Sequence, residues 1–441
     1  MEISELYKLF LKHPNITIDS RDVPDNSIFW ALKGEKFNGN KFAYSALKAG
    51  ASYAIIDDKK FYYSEKTIFV QDVLKMLQLL ANYHRKQLNL PILALTGTNG
   101  KTTTKELILT ILSTQYNIKA TQGNFNNHIG VPLTILTFNK LTEIGIVEMG
   151  ANHSGEIKEL CNIAEPNFGL ITNIGKAHLE GFGSFEGVIK TKAELYQSII
   201  KNKGTIFFNS DNSVLNTLEK GNKTLSYGTN KESYLKAQFL SANPFVNLEI
   251  ETSKGLKTKI NSRLIGFYNF ENIAAASCVG DFFKISIRNI KKAIENYIPD
   301  NNRSQFIQKN HNKIILDAYN ANPTSMSLAI DNFMDIEQKN KVIILGDMFE
   351  LGKHAEKEHT NIVKKLIKIK QKNKNIRIYI IGSMFHSIYI NKFQNEDFES
   401  FKTTKEFINY ISEKKFKEEW FFIKGSRGMK LETVVQYINT S

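Results

Sequence analysis

The stretch GTNGKTT, residues 97–103, follows the apolar run ILALT and opens the helical run TKELILTIL. Glycines at 97 and 100 let backbone N–H groups turn toward an anion, and the helix N-terminus behind them adds its dipole. Lys101 is placed to reach the outer phosphates of a nucleotide, and Thr102 to offer a hydroxyl to Mg²⁺. Leu95 stands where the general G-x-x-x-x-G-K-[ST] form has its first glycine, so this is a short variant of the phosphate loop. A glycine turn capping a helix explains the glycines but not Lys-Thr-Thr after them.

Other reactive side chains fall at the ends of apolar runs. Glu148 closes IGIVE, where a sheet presents a metal-binding or basic carboxylate to a bound nucleotide. His178 follows the run NFGLITNIG, and Lys192 lies on the helical run after it. Mg²⁺ prefers oxygen, so a histidine alone is a weak metal signal. DAYNANP, residues 317–323, puts a carboxylate, a phenol and two carboxamides between a strand ending at Asp317 and a helix starting at Pro323. Asn322 is a good N-cap ahead of a proline at N1. Capping leaves Asp317, Tyr319 and Asn320 unexplained. In KGSRGMKLE, Lys424 and Arg427 add positive charge at another strand end, suited to a phosphate or a carboxylate.

These loops need rigid sheets behind them. A chain of 441 residues is too long for one core and divides into two or three domains. We place boundaries at residues 1–85, 86–299 and 300–441, the last break falling in YIPDNNRS, residues 297–304. The first block holds short strands such as SIFWAL and GASYAII and ends on VLKMLQLLANYHRKQL. In the second, apolar strands alternate with helices, the pattern of a parallel sheet covered on both faces. In the third, KIILDAY, KVIILGDM, IRIYIIGS and EEWFFIKGS repeat that alternation, as in a smaller doubly wound domain.

Composition narrows the class. Hydrophobic content of 42% with 11% aromatics is that of a globular protein. No apolar run is long enough to span a bilayer, and the first residues lack the apolar core of a secretory signal. Cys161 and Cys278 cannot make a disulfide framework, so a cytoplasmic protein is expected. The net charge of +14 comes mostly from dispersed lysines. Without a zinc-finger, basic-zipper or RNP-type pattern, nucleic acid is not expected as a partner; a polyanionic small molecule fits the charge.

GTNGKTTT resembles the ATP loop of the Mur ligases, the ATP-dependent amide-forming enzymes of peptidoglycan synthesis, and of their folylpolyglutamate synthase relatives. The resemblance covers almost the whole chain. It implies three α/β domains: a small UDP-substrate domain, a central P-loop-type parallel-sheet ATPase domain, and a C-terminal Rossmann-like domain. It implies ATP contacts from Gly97, Thr98, Asn99, Gly100, Lys101, Thr102 and Thr103. Asn269 and Asn272 of GFYNFENIAAA would lie near adenine, Arg303 near phosphate and Asp317 on the ribose. Tyr268 replaces the usual histidine of that segment.

By the same resemblance, Thr102, Glu148, His178 and a carbamylated Lys192 would surround Mg²⁺, taken as two ions. Lys101, Glu148, His178 and Lys192 would form the catalytic set. GNFNNHIGVPLTIL brings Asn126, Asn127 and His128 toward the substrate, and Ser20 with Arg21 matches the uridine end of the first domain, where Asn40 replaces a histidine. YNANP, GDMFELG and KGSRGMKLE match the branch joining D-alanyl-D-alanine to UDP-N-acetylmuramoyl-tripeptide. Tyr319, Asn320, Asn322, Lys424 and Arg427 would then meet the acceptor. The expected enzyme is a monomer without membrane insertion. A ligase adding another amino acid, a folylpolyglutamate-type ligase and a P-loop ATPase remain as alternatives.

Overall fold

The computed structural model describes residues 2–35, 37–175 and 179–440. Among the described residues, three sheets of four or more strands carry the fold, with two two-stranded ribbons beside them. The first is four-stranded and wholly parallel, in the order Asn15–Thr17, Ser27–Trp30, Tyr53–Ile56 and Thr67–Phe69. Helix Val73–Leu88 leaves it and packs on helices Gly130–Leu136 and Glu156–Ala164 of the central part. Arg85 on this helix is buried, and its guanidinium donates to the Ala164 and Glu165 carbonyls and to Asn167 Oδ1. A buried cation is tolerable when its donors are satisfied in this way. Leu6, Trp30 and Leu77 therefore share one core with Ile92 and Val147.

The central sheet has nine strands. From one edge they run Ile118–Ala120, Ile144–Glu148, Ile92–Thr96, Phe168–Ile171, Thr205–Asn209, Thr224–Gly228 and Leu235–Ala242, all parallel. Strand Ile92–Thr96 is buried throughout. Its side chains alternate, as the pleat requires: Ile92 and Ala94 join the core shared with the first sheet, and Leu93 and Leu95 a second core under helices Lys101–Leu112 and Tyr268–Phe282. Two antiparallel strands, Phe245–Glu251 and Lys257–Ile265, extend the far edge. The parallel pattern expected of the central sheet holds for seven strands and gives way to antiparallel pairing at this edge. FVNLEIE alternates with period two, the pattern of a sheet with one wet face, and its burial alternates accordingly.

The third sheet has six strands, ordered Gln305–Lys309, Asn312–Asp317, Trp420–Lys424, Lys341–Gly346, Arg377–Ile381 and Glu399–Phe401. Only the first pairing is antiparallel. The four apolar runs of the third block are all strands here. The order inserts the last long strand between the first two, so that Asp317 stands in register beside Lys424. Among the described residues, no helix is long and apolar enough to cross a membrane.

Candidate functional site

A cleft of about 830 Å³ lies between the C-terminal ends of the nine-stranded and six-stranded sheets, lined by the loops after Thr96, Glu148, Ile171, Asp317 and Lys424. The phosphate loop forms one wall. Gly97 has φ 149° and Gly100 φ 77°, in the left-handed half of backbone space. A Cβ at Gly97 would come within 2.0 Å of Thr172 Oγ1, and one at Gly100 within 2.4 Å of Asn272 Oδ1. Both glycines are required by close packing as well as by φ. Helix Lys101–Leu112 begins directly after Gly100, which brings no side chain to cap it. The first turn is therefore open to an anion.

Asn173 holds this loop from the neighbouring strand end. The Asn99 backbone N–H donates to Asn173 Oδ1, and the Asn99 carbonyl accepts from Asn173 Nδ2 and Thr172 Oγ1. The Thr98 hydroxyl bonds across to Gly175. The sequence reading overlooked Thr172 and Asn173, although LITN carries the same signal as the other loops: polar residues directly after an apolar strand.

Two amines and one carboxylate occupy the floor. Lys101 Nζ donates to the carbonyls of Gly97 and Thr98, at 2.6 and 3.2 Å. Burial pushes its pKa down to about 8; Glu148 opposes the shift and Arg303 reinforces it. Lys192 lies on helix Phe185–Lys201, 3% exposed, its Nζ 5.7 Å from the centre of the Phe182 ring. Burial, and then the charge of Lys101, brings its pKa down to about 7. Glu148 is buried; its Oε1 accepts from Asn126 Nδ2 at 2.8 Å, while Oε2 is buried without a hydrogen-bond partner. Amines destabilised as cations beside an orphaned carboxylate oxygen suit an anion together with a hard cation. Among the described residues, no three His, Cys, Asp or Glu side chains converge as a ready metal site. His178 lies outside the described residues.

The opposite wall comes from the six-stranded sheet. Strand Asn312–Asp317 ends and helix Pro323–Asp335 begins where the residue types require, with Asn322 as the N-cap. Lys424 Nζ pairs with Asp317 Oδ2 and also donates to the Asn320 carbonyl. Asn320 Oδ1 accepts from the Ala321 N–H. Lys424 is thus spent on the loop itself. Tyr319 stands between two guanidinium groups, Arg303 at 3.8 Å and Arg427 at 4.9 Å from its ring centre. Both line the cleft, and Arg303 Nε is buried without a partner.

Asn272 lines the cleft, accepting from Thr104 Oγ1. Asn269 lies behind it, buried, donating to the Ile265 carbonyl and accepting from Asn272 Nδ2. Asn269, expected near a nucleotide, is not among the cleft residues, and its side chain orients Asn272. Phe267, Leu328 and Asn332 line the same end, and the Phe267 N–H donates to Asn332 Oδ1 between the two sheets. Their residue types alone carry no signal that would single out these three. Tyr268 bonds Ser304 through its hydroxyl at 2.6 Å.

At the far end, Asn127 Oδ1 accepts from the N–H groups of Ile129 and Gly130, and Asn127 and His128 are exposed at the cleft wall. Ser20 and Arg21 are not among the cleft residues. Arg21 is exposed on the first sheet's side and pairs with Asp19 at 2.6 Å. The buried Asn40 donates to Asp57 and accepts from the Asp57 N–H.

Three sheets with a phosphate loop at the centre define a three-domain α/β protein of P-loop type. Family profiles agree along the chain: the Mur ligase family catalytic domain matches residues 13–85, the Mur ligase middle domain 95–280, and the Mur ligase glutamate ligase domain 302–427. The UDP-N-acetylmuramoyl-tripeptide–D-alanyl-D-alanine ligase of Bacillus subtilis is 33% identical over 98% of this chain and 96% of its own. That of Rickettsia prowazekii is 30% identical over 96% and 94%. A crystal structure of MurF from Acinetobacter baumannii superimposes with a TM-score of 0.83 at 29% identity, covering 96% of this chain and 92% of that one. The chain belongs to the Mur ligase family.

Proposed function

We propose that this chain is an ATP-dependent amide ligase that joins D-alanyl-D-alanine to UDP-N-acetylmuramoyl-tripeptide in peptidoglycan precursor synthesis. The carrying observation is the apposition, across one cleft, of the phosphate loop and the DAYNANP loop. The activity is also the one that names the Bacillus and Rickettsia relatives.

In this reading the loop amides and Lys101 hold the β- and γ-phosphates, and Arg303 approaches them from the other wall. The tripeptide carboxylate attacks the γ-phosphorus and ADP leaves, giving an acyl phosphate. The amine of the dipeptide, having lost a proton, attacks the acyl carbon, and phosphate leaves as the amide forms. Positioning and charge stabilisation supply most of the acceleration.

Mg²⁺, taken as two ions, would neutralise phosphate charge, with Glu148 Oε2 and Thr102 as ligands beside His178 and Lys192. The orphaned Glu148 oxygen fits a hard, oxygen-preferring cation. A pKa of about 7 leaves much of Lys192 as the free amine at neutral pH, the form that takes up CO₂. The resulting carbamate would replace a cation next to Lys101 by an oxygen anion.

Asn272 serves the adenine, Asp317 the ribose, and Asn126, Asn127 and His128 the tripeptide end. Ser20 and Arg21 serve the uridine on the first domain. Arg427, held by Tyr319, is the cation best placed for the dipeptide carboxylate. Domains at residues 1–85, 86–299 and 300–441 would close about 297–304 to exclude water from the acyl phosphate, in a cytoplasmic monomer.

The test is phosphate release with ATP, Mg²⁺, the UDP-linked tripeptide and either D-Ala-D-Ala or single amino acids. Release only with the dipeptide, and a product heavier by that dipeptide, is expected. Release with a single amino acid would keep the ligase and overturn the acceptor.

A further inference from the structure

Asn322 has the residue type and place of a group that reads the acceptor, yet its side chain is engaged elsewhere. Oδ1 accepts from the Ser325 N–H at 2.8 Å, completing a capping box. Only the oxygen of a carboxamide can accept from a backbone N–H, so this bond fixes the orientation of the amide. Nδ2 must then point away from the helix, and it donates to Asn99 Oδ1 at 2.8 Å. Asn99 is itself immobilised, its N–H and carbonyl both held from the strand end at Asn173. The bond therefore runs between the two loops that face each other across the cleft.

Other links between the sheets, Tyr268 with Ser304 and Phe267 with Asn332, lie at the nucleotide-base end. Asn99–Asn322 is placed where the phosphate loop meets the acceptor loop. The chemistry makes that position consequential. The acyl phosphate forms where the phosphate loop holds the γ-phosphate, while the attacking amine is presented by the other domain. The reacting atoms must come to about 3–3.5 Å, and an error of about 1 Å costs on the order of 10²-fold.

We infer that Asn99 and Asn322 form an interdomain latch, in which Asn322 is a positioning residue setting the acceptor loop against the phosphate loop and does not itself contact the dipeptide. The inference rests on the proposed ligase activity. It assigns the specificity contacts of the acceptor to Arg427 and Tyr319, and leaves Asn322 the register between donor and acceptor.

The two functions of Asn322 separate by substitution. Asn322→Ser keeps an oxygen for the Ser325 N–H, since serine caps helices well, but is too short to reach Asn99. Asn99→Ala removes the other half of the latch and leaves the cap intact. The full chain, both single variants and the double variant are assayed for phosphate release at saturating ATP with D-Ala-D-Ala varied. Borohydride trapping of the acyl phosphate without acceptor follows the first half-reaction.

Each single variant is expected to lower kcat/KM for the dipeptide roughly ten- to hundredfold. The double variant should be no worse than the poorer single one, and trapped acyl phosphate in Asn322→Ser should match the unaltered chain. Losses that multiply in the double variant overturn the latch. So does a large loss in Asn322→Ser with none in Asn99→Ala, which would mean direct contact with the dipeptide. If the unaltered chain makes no product with the dipeptide, the activity itself fails. The latch is then decided by X-ray scattering with a non-hydrolysable ATP analogue: expansion in both single variants supports it, and unchanged dimensions sink it.

Discussion

In the phosphate loop, the group left for a ligand is the open first turn of a helix, held in place by two glycines and by Asn173. The Lys101 ammonium beside it donates to two loop carbonyls but, among the described residues, is not paired with a carboxylate in the way that Lys424 is. In the loop after Asp317, most polar side chains are consumed by the framework: Lys424 by Asp317, Asn320 by its neighbour's N–H, Asn322 by its cap and by Asn99. What remains there are two guanidinium groups stacked on one tyrosine. The first loop offers a ligand its backbone, and the second what its side chains leave over. A phosphate needs many donors in a fixed nest, which backbone supplies without rotamer entropy. A small zwitterion needs two or three directed contacts, and long side chains can deliver these only if something else holds them.

The largest effect should fall on the phosphate side. Lys101→Met is expected to lower kcat/KM by roughly 10²–10³-fold, the magnitude typical for losing one preorganised electrostatic contact in a closed site. Steady-state kinetics with ATP and the UDP-linked tripeptide measure it. A loss under threefold would mean that the helix N-terminus alone does the binding.

A second difference concerns pH, because only the phosphate side carries depressed lysines. Folded Lys192 titrates near about 7 and Lys101 near about 8, against about 10.4 for an unfolded lysine. Between these values the unfolded chain binds more protons than the folded one. Stability of the unliganded protein therefore rises with pH from about 7 toward about 10. Below that window both states are protonated and this contribution to the slope vanishes. Lys192→Met should flatten the rise in Tm across a pH series in carbonate-free buffer; an unchanged slope would show that Lys192 is not depressed.

The smallest effect sharpens the acceptor side. Tyr319→Phe keeps the ring between Arg303 and Arg427 and should leave the dipeptide KM within about twofold. Tyr319→Leu removes the cation–π contacts, worth about 0.5–1 kcal/mol each at exposed sites, and should raise that KM by roughly three- to tenfold. If the phenylalanine variant loses as much as the leucine one, the hydroxyl and not the ring is the working group.

Much of the local structure was legible in residue types. Asp317 as a strand end, Asn322 as a cap, Pro323 as a helix start and Lys101 at the head of its helix all follow from short-range preferences. Four strands of the six-stranded sheet follow from apolar runs of the right length; the two edge strands, QFIQK and ESF, carry no such run. The antiparallel edge at 245–265 was also written there, in the alternation of FVNLEIE, but a reading tuned to buried parallel strands passes over it. The placing of Asn269 behind Asn272 was not legible, because a carboxamide on a helix has the same spelling whether it faces the cleft or the next carboxamide.

Sequence alone settles the glycine turn of the phosphate loop, which runs bury both faces, and which loops carry charge, because these depend on a residue and its near neighbours. Which of those charges stay free is a matter of partners a hundred residues or more away. Lys424 meets Asp317 only because strand Trp420–Lys424 inserts beside strand Asn312–Asp317. Asn322 meets Asn99 only because two sheets close over one cleft. Hydrogen bonds act over about 3 Å, so the side chains left for substrate are chosen by topology and domain apposition.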